Sequence, residues 1–214
     1  MSDAFYRAVR LIGQSAFAVS SRPLVIGIEH TRRSGAYLLA ANHQSPYDVA
    51  LLIRHVGRRI DFVSSVEVFA HPLVAWFYGS MNAFPLDRRR PDSAAVRRIL
   101  DRLARGRCVG IFPEGGFRRG EASVVYSLNI RPGVGRIAHL AGAPIVPAVL
   151  IGSNDYARPA AWLPIRRTRY GLIFGAPIPP SADAAATDRL LAQTLANLHA
   201  ELAAKLGRAI PRAE

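Results

Sequence analysis

Residues 37–48 have the sequence YLLAANHQSPYD, and this stretch carries the pattern that decides the fold. The apolar run from Tyr37 to Ala41 is typical of a short buried strand. Pro46 suits the first turn of a helix, so a turn that contains His43 joins the predicted strand to a predicted helix. Functional groups gather at such turns in α/β folds.

The same alternation continues along the chain. Further strands are predicted at residues 24–28, 60–64, 83–86, 108–112, 145–151 and 169–174. Helices are predicted at residues 4–19, 49–56, 67–78 with a break at Pro72, 92–105, 134–141 and 184–206. Strands that alternate with helices indicate an α/β fold. We therefore expect one α/β domain with a mixed central sheet flanked by helices and an amphipathic N-terminal helix.

The charge balance indicates an anionic partner. The 214 residues include 28 Lys and Arg against 15 Asp and Glu, a net charge of +13. Nucleic acid, an anionic membrane surface and phosphorylated small molecules all suit such a surplus. No zinc spacing, helix-turn-helix signature or aromatic RNA-binding motif is recognised, so nucleic acid is not expected. The scattered histidines predict no metal site, and the single cysteine excludes an internal disulfide.

The N-terminal segment predicts an amphipathic helix, because Phe5, Val9, Ile12, Ala16 and Val19 recur at three and four residues. Residues 1–22 are taken as this helix, which either anchors the protein at a membrane interface or packs on the core. Residues 23–214 are taken as the main domain. The sequence predicts no spanning helix and no signal peptide. We therefore expect a peripheral protein at the cytoplasmic face of the cell membrane.

His43 and Asp48 are the candidate catalytic pair. Asp48 follows His43 by about one helical turn, so its carboxylate can contact the imidazole. A carboxylate on the second ring nitrogen fixes the tautomer and orientation of a histidine base, and such a base contributes roughly 10²–10⁴-fold to a rate. Taken alone, the pair is better interpreted as a helix-capping aspartate beside an incidental histidine.

Two other strand ends carry charged loops. Residues 110–120 have the sequence GIFPEGGFRRG, and residues 84–90 have the sequence FPLDRRR. Backbone N–H groups of a glycine-rich loop can bind an oxyanion or a phosphate, and arginine adds bidentate contacts. Each segment taken alone is equally well explained as a solvated turn.

Together these segments form an ordered set of motifs: His43-x-x-x-x-Asp48, then Arg88, then Phe112-Pro113-Glu114-Gly115, then Ile145-Val146-Pro147. This set resembles the four blocks of the glycerolipid acyltransferase family, which includes 1-acylglycerol-3-phosphate acyltransferase. The resemblance runs from about residue 25 to residue 151. It implies an O-acyltransferase of phospholipid biosynthesis that moves a fatty acyl group to the hydroxyl of a lysophospholipid, such as 1-acylglycerol-3-phosphate, or of a related lipid.

The resemblance also implies roles and partners. His43, oriented by Asp48, would deprotonate the acceptor hydroxyl, which attacks the thioester of acyl-CoA or acyl-acyl-carrier protein without any other cofactor. The absence of a Gly-x-Ser-x-Gly elbow agrees with a mechanism that lacks an acyl-enzyme. The residues implied to bind substrate or shape the site are Arg88, Glu114, Gly115, Gly116, Arg118 and Pro147. The implied partners are an anionic membrane surface, the lysolipid acceptor and the acyl donor.

The chain departs from the family at two places. After Phe-Pro-Glu-Gly the family usually has Thr-Arg, whereas this chain has Gly116 and Phe117, and arginine follows at Arg118. A lysine often found after the third strand is replaced within residues 64–66. Both family residues are thought to bind or orient phosphate. A glycolipid, an aminolipid or another lysophospholipid therefore stays open as the acceptor.

Two other segments of the sequence have competing interpretations. Residues 133–138 match the G-x-G-x-x-A form of a dinucleotide-binding motif, with Asp155 at a suitable distance. The start of a closely packed helix explains these glycines better, because Arg131 and Pro132 interrupt the connection from the preceding strand to the motif. Residues 76–78 are predicted to be core, with an interfacial belt or an acyl-chain lining as alternatives. The alternative to an enzyme is a non-catalytic basic protein that binds lipid or nucleic acid.

Overall fold

The computed structural model describes residues 3–87, 89, 92–163 and 167–207. Its strands are β1 Ser21–Ile26, β2 Tyr37–Ala41, β3 Ile60–Ser65, β4 Phe84–Leu86, β5 Cys108–Ile111, β6 Ile145–Ile151 and β7 Thr168–Phe174. Its α-helices are α1 Asp3–Ser20, α2 Tyr47–His55, α3 Pro72–Ser80, α4 Ser93–Ala104, α5 Val124–Ser127, α6 Val134–Ala141 and α7 Ala184–Leu206. Short 3₁₀ helices cover Ile28–Thr31, Val66–Phe69, Gly120–Ala122, Ser153–Ala157 and Pro159–Trp162.

The strands form one mixed sheet in the order β1-β7-β6-β2-β5-β3-β4. Strands β6, β2, β5, β3 and β4 are parallel to one another. Strand β7 is antiparallel to β6, and β1 is parallel to β7. The predicted α/β fold with a mixed sheet is therefore confirmed. Because β2 and β5 are neighbours and parallel, the loops that follow them lie side by side.

Two apolar layers cover the sheet. Side chains alternate along β2, so Leu38 and Ala40 join one core cluster while Tyr37, Leu39 and Ala41 join the other. Helices α4, α5, α6 and α7 contribute to the first cluster. Helices α1 and α2 contribute to the second. Helix α3 lies on the second side as well, because Trp76 contacts Phe5 of α1. We refer to these as the α4–α7 face and the α1–α3 face of the sheet.

Helix α1 is present, and it packs on the sheet with part of its predicted apolar face. Tyr6 and Phe17 are buried on the α1–α3 face. Of the predicted apolar face, Phe5 and Val9 pack against this cluster, whereas Ile12 and Val19 are 71% and 52% exposed. Aromatic contacts select this rotation, because the Phe17 ring packs edge-on against Tyr156 at 5.0 Å. The helix therefore packs on the core and also presents apolar side chains to solvent.

Helix α3 corrects another expectation. The core interpretation of residues 76–78 is wrong for Trp76, which is 61% exposed, and for Phe77, which is 41% exposed. Trp76 lies against Phe5 of α1, with ring centroids 5.2 Å apart. The exposed apolar side chains of α1 and α3 therefore belong to neighbouring helices. Among the described helices, none combines the length and the hydropathy that a bilayer-spanning segment requires.

The glycine motif at α6 serves helix packing, as expected. The N–H groups of Gly133 and Gly135 donate to the two carboxylate oxygens of Asp188 on α7, at 2.9 and 2.7 Å. A phosphate would need these same donors, and the carboxylate already occupies them. A β-carbon on Gly135 would also meet the Ala184 carbonyl of α7. The contact between α6 and α7 thus explains both glycines.

Candidate active site

The loop between β2 and α2 carries a histidine–aspartate pair. His43 Nδ1 lies 3.0 Å from Asp48 Oδ2, and Asp48 is fully buried. His43 is 8% exposed, so its ring lies close to the surface without projecting into solvent. With Asp48 on Nδ1, the second ring nitrogen, Nε2, is the atom left to exchange a proton with a substrate.

The same carboxylate oxygen shapes the loop. Asp48 Oδ2 also accepts hydrogen bonds from the backbone N–H groups of Gln44 at 2.7 Å and Ser45 at 2.9 Å. Asp48 lies in the first turn of α2, where negative charge is favoured by the helix dipole. The helix-capping interpretation and the catalytic one are therefore compatible, because one oxygen holds both the turn and the imidazole.

Two phenylalanines enclose the imidazole. The Phe112 ring stacks on the His43 ring with centroids 3.7 Å apart and planes 10° apart. The Phe117 ring lies 4.3 Å from the imidazole at 47° and is 52% exposed. Phe117 occupies the position at which the resemblance leads one to expect arginine. An aromatic ring, rather than a guanidinium, thus lies against the histidine at this point.

Glu114 joins the two loops. Its Oε2 accepts the backbone N–H of His43 at 2.8 Å. Its Oε1 accepts the Ser123 hydroxyl and the Val124 N–H, both at 2.6 Å. Burial raises the pKa of Glu114, although these hydrogen bonds oppose the shift. The resemblance implies a head-group contact for Glu114, yet protein donors already occupy both of its oxygens.

The rest of the loop after β5 adds backbone and arginine contacts. Gly115 has φ +71°, a conformation that favours glycine, and a β-carbon there would overlap the Arg131 side chain. The N–H of Arg118 donates to the His43 carbonyl at 2.8 Å. Arg119 Nε donates to the Gln44 carbonyl at 3.0 Å. Gly116 belongs to the same loop, and the exposed side chains of Arg118 and Arg119 lie at its rim.

The remaining predicted residues lie elsewhere. Pro147 is buried within β6, where its register partner is Ala40 of β2, and its carbonyl accepts the Gly175 N–H at 2.9 Å. It therefore belongs to the sheet beneath the site rather than to the loops that surround His43. Arg88 lies outside the described residues.

Sequence reasoning missed two supporting residues. The buried Asn42 side chain accepts the Leu150 N–H at 2.8 Å and donates to the Leu150 carbonyl at 3.1 Å, which ties the start of the loop to β6. Its place beside His43 was the signal that could have revealed it. Ser123, the partner of Glu114, had no signal, because its role depends on how the chain returns after β5.

Two spaces flank the loops, one on each face of the sheet. A mostly apolar cavity of about 200 Å³ lies among α1, α2 and α3. It is lined by side chains that include Val9, Phe17, Ile53, Phe62, Phe77 and Tyr78. A groove of about 680 Å³ lies between α4 and α6 and includes Phe112, Pro113 and Gly115 in its lining. No group of metal-ligating side chains occurs among the described residues.

Fold and site together define a class of protein: an α/β domain that holds a buried histidine–aspartate pair at the carboxyl end of a strand in the parallel part of the sheet. A family model described as Acyltransferase matches residues 22–151, more than half of the 214 residues. The protein belongs to the acyltransferase family.

Relatives within this family are distant. The chain is 27% identical to the 1-acyl-sn-glycerol-3-phosphate acyltransferase of Bacillus subtilis (strain 168) over 128 residues, 59% of this chain and 61% of that protein. It is 36% identical to the lyso-ornithine lipid O-acyltransferase of Pseudomonas aeruginosa over 86 residues, 40% of this chain and 33% of that protein. The chain thus spans less than two thirds of the length of both relatives.

The fold is shared with a solved structure. The 1-acyl-sn-glycerophosphate acyltransferase PlsC from Thermotoga maritima superposes with a TM-score of 0.72 at 22% identity, over 92% of this chain and 79% of that chain. The likeness therefore covers most of the fold described above.

Proposed function

We propose that this protein transfers a fatty acyl group from an acyl thioester, acyl-CoA or acyl-acyl-carrier protein, to the hydroxyl of a lysophospholipid or a related lipid. The observation that carries the proposal is the contact between His43 Nδ1 and Asp48 Oδ2 at 3.0 Å in a chain of the acyltransferase family. The names of the relatives support 1-acylglycerol-3-phosphate as one acceptor.

The chemistry follows from the pair. His43 Nε2 removes the proton of the acceptor hydroxyl, and Asp48 stabilises the resulting imidazolium through Nδ1–H. The acceptor oxygen attacks the thioester carbonyl, and backbone N–H groups near the loop stabilise the oxyanion. The tetrahedral intermediate collapses to the ester, and the thiol leaves with the proton from Nε2. Oxygen replaces sulfur on the acyl carbon, so no other cofactor is required.

The residues around His43 support this use. Phe112 and Phe117 restrict the orientation of the imidazole and reduce its contact with water. Glu114 acts as a positioning residue, because it holds the His43 backbone against the loop after β5. The apolar cavity among α1, α2 and α3 is suited to an acyl chain, since most of its lining is hydrophobic.

The head group of the acceptor lipid is the part of the proposal that the assay has to identify. Phe117 lies where a phosphate-binding arginine is usual in the family, so Arg118 and Arg119 are the candidates within this loop for head-group contact. Phosphate, ornithine and sugar head groups are therefore all included in the test.

The first test is thiol release from palmitoyl-CoA with a panel of lysolipid acceptors. We expect acceptor-dependent release in the wild type and a loss of at least about a hundredfold in His43→Ala. His139→Ala is the matched control, because His139 is exposed on α6. Release that survives in His43→Ala would exclude His43 as the base. No release from either palmitoyl-CoA or palmitoyl-acyl-carrier protein would favour the non-catalytic, lipid-binding alternative.

We also propose a peripheral location at the cytoplasmic face of the membrane. Leu11 and Ile12 of α1 and Leu73 and Trp76 of α3 are all more than half exposed, and the net charge of +13 favours anionic lipid. Co-sedimentation with anionic liposomes at low salt should fall in Ile12→Asp. It should not fall in Leu190→Asp, which changes an equally apolar exposed position on α7. Wild-type protein that does not co-sediment with these liposomes would refute the peripheral membrane location.

A further inference from the structure

The groove between α4 and α6 has an apolar floor. The side chains that form it include Val63, Val96, Ile99, Ile111, Val134 and Ile137. Its volume of about 680 Å³ lies within the range of about 300–1,000 Å³ that is usual for small-molecule sites. The groove lies on the α4–α7 face of the sheet, opposite the apolar cavity of the α1–α3 face.

Three arginines surround this floor. Arg97 of α4, Arg136 of α6 and Arg131 line the groove, and all three are exposed at its rim. Asp87 and Asp92 also line it. Asp87 Oδ1 accepts the N–H of Arg89 at 2.9 Å, and the Asp92 carboxylate accepts the N–H groups of Asp87 at 3.0 Å and Ala95 at 2.9 Å, which caps α4. An apolar floor with a basic rim suits an anionic ligand that carries a partly apolar arm.

The inner end of the groove reaches the active-site loop. Arg131 donates its backbone N–H to the Pro113 carbonyl at 2.8 Å, and its guanidinium lies across Gly115. Phe112 lines the groove and also stacks on His43 at 3.7 Å. A ligand that fills the groove therefore ends beside the loop that encloses the imidazole.

We infer that this groove binds the phosphopantetheine arm of the acyl donor, with Arg97, Arg131 and Arg136 around the phosphate end of that arm. The inference rests on the proposed function and assigns its donor site. A lysophosphatidic acid head group has the same phosphate chemistry. The donor is favoured because the exposed apolar side chains of α1 and α3, where a lipid acceptor would approach, lie on the other face from the arginines of this groove.

Direct binding tests this assignment without turnover. Calorimetric titration with CoA and with 4′-phosphopantetheine should show binding to the wild type and equally to His43→Ala, which separates this inference from the catalytic proposal. In the double variant Arg97→Gln/Arg136→Gln, Kd for CoA should rise about tenfold, which corresponds to about 1.4 kcal/mol of lost charge-assisted hydrogen bonding. The matched control Arg98→Gln/Arg189→Gln removes the same charge from exposed positions outside the groove.

The outcomes separate the two sources of phosphate. The assignment is supported if only the groove variant loses CoA binding and if its KM for palmitoyl-CoA rises while its KM for the acceptor is unchanged. Equal losses in both double variants would overturn it in favour of nonspecific charge attraction. Unchanged CoA binding together with a raised acceptor KM would overturn it in favour of an acceptor site. Urea unfolding of both double variants checks that each remains folded.

Discussion

Glu114 provides the sharpest test of how the site is assembled. Replacing it by alanine leaves three donors without their acceptor: the N–H groups of His43 and Val124 and the Ser123 hydroxyl. A hydrogen bond to a charged group contributes about 1.5–3 kcal/mol. The cost of desolvating the carboxylate, which raises the pKa of Glu114, offsets part of the summed energy of these hydrogen bonds. We expect Glu114→Ala to cost about 3–5 kcal/mol of unfolding free energy, and Glu114→Gln about 1–3 kcal/mol, since the amide keeps one oxygen.

Urea unfolding followed by circular dichroism measures these losses, and kcat at a temperature where each variant is folded measures the effect on His43. We expect kcat to fall in both variants, because Glu114→Ala releases the His43 backbone and the single amide oxygen of Glu114→Gln cannot serve both His43 and the pair Ser123 and Val124. Glu121→Gln changes an exposed carboxylate nearby and should cost less than about 0.5 kcal/mol. Wild-type stability in Glu114→Gln combined with a raised acceptor KM would refute the positioning role and favour direct head-group contact.

Three further predictions concern the surroundings of the site. Burial lowers the pKa of His55 to about 4 in the folded protein, whereas its ordinary pKa in the unfolded chain is 6.5. Below pH 6.5 the unfolded chain therefore binds the proton first, so the free energy of unfolding should be complete above about pH 6.5 and decline toward pH 4. His55→Gln should flatten this decline, as measured by urea unfolding at several pH values. Asn42→Ala should lower the melting temperature and cost about 2–4 kcal/mol, because it leaves a buried N–H and a buried carbonyl of β6 unpaired; an unchanged melting temperature would contradict this. Gly115→Ala should lower the free energy of unfolding by about 1–2 kcal/mol from the positive φ alone, and by more because the added β-carbon overlaps the Arg131 side chain. Gly35→Ala is the control in urea unfolding, because Gly35 has φ +79° and open space around it, so its loss shows the effect of φ without an overlap.

The sequence by itself determined the local elements and the catalytic candidates. The bounds of β2, β6, α6 and α7 agree with the predicted ones, because strand and helix periodicities are written into consecutive residues. The spacing of His43 and Asp48 allowed their contact, and the ordered set of motifs, rather than the spacing alone, favoured it; the structure places the two side chains 3.0 Å apart. For the strands and helices, a short segment contains the information that sets their bounds.

Only the tertiary structure decided what depends on distant segments. Strand β1 pairs with β7 at the sheet edge, far along the chain from it. Helix α1 turns Phe17 inward because Tyr156 lies there to receive it, and periodicity alone could not choose that rotation. Glu114 has the sequence pattern of a substrate-binding residue, but Ser123 and the His43 backbone occupy its oxygens. Such partners are set by side-chain packing and hydrogen-bond satisfaction across the whole fold, which no local pattern records.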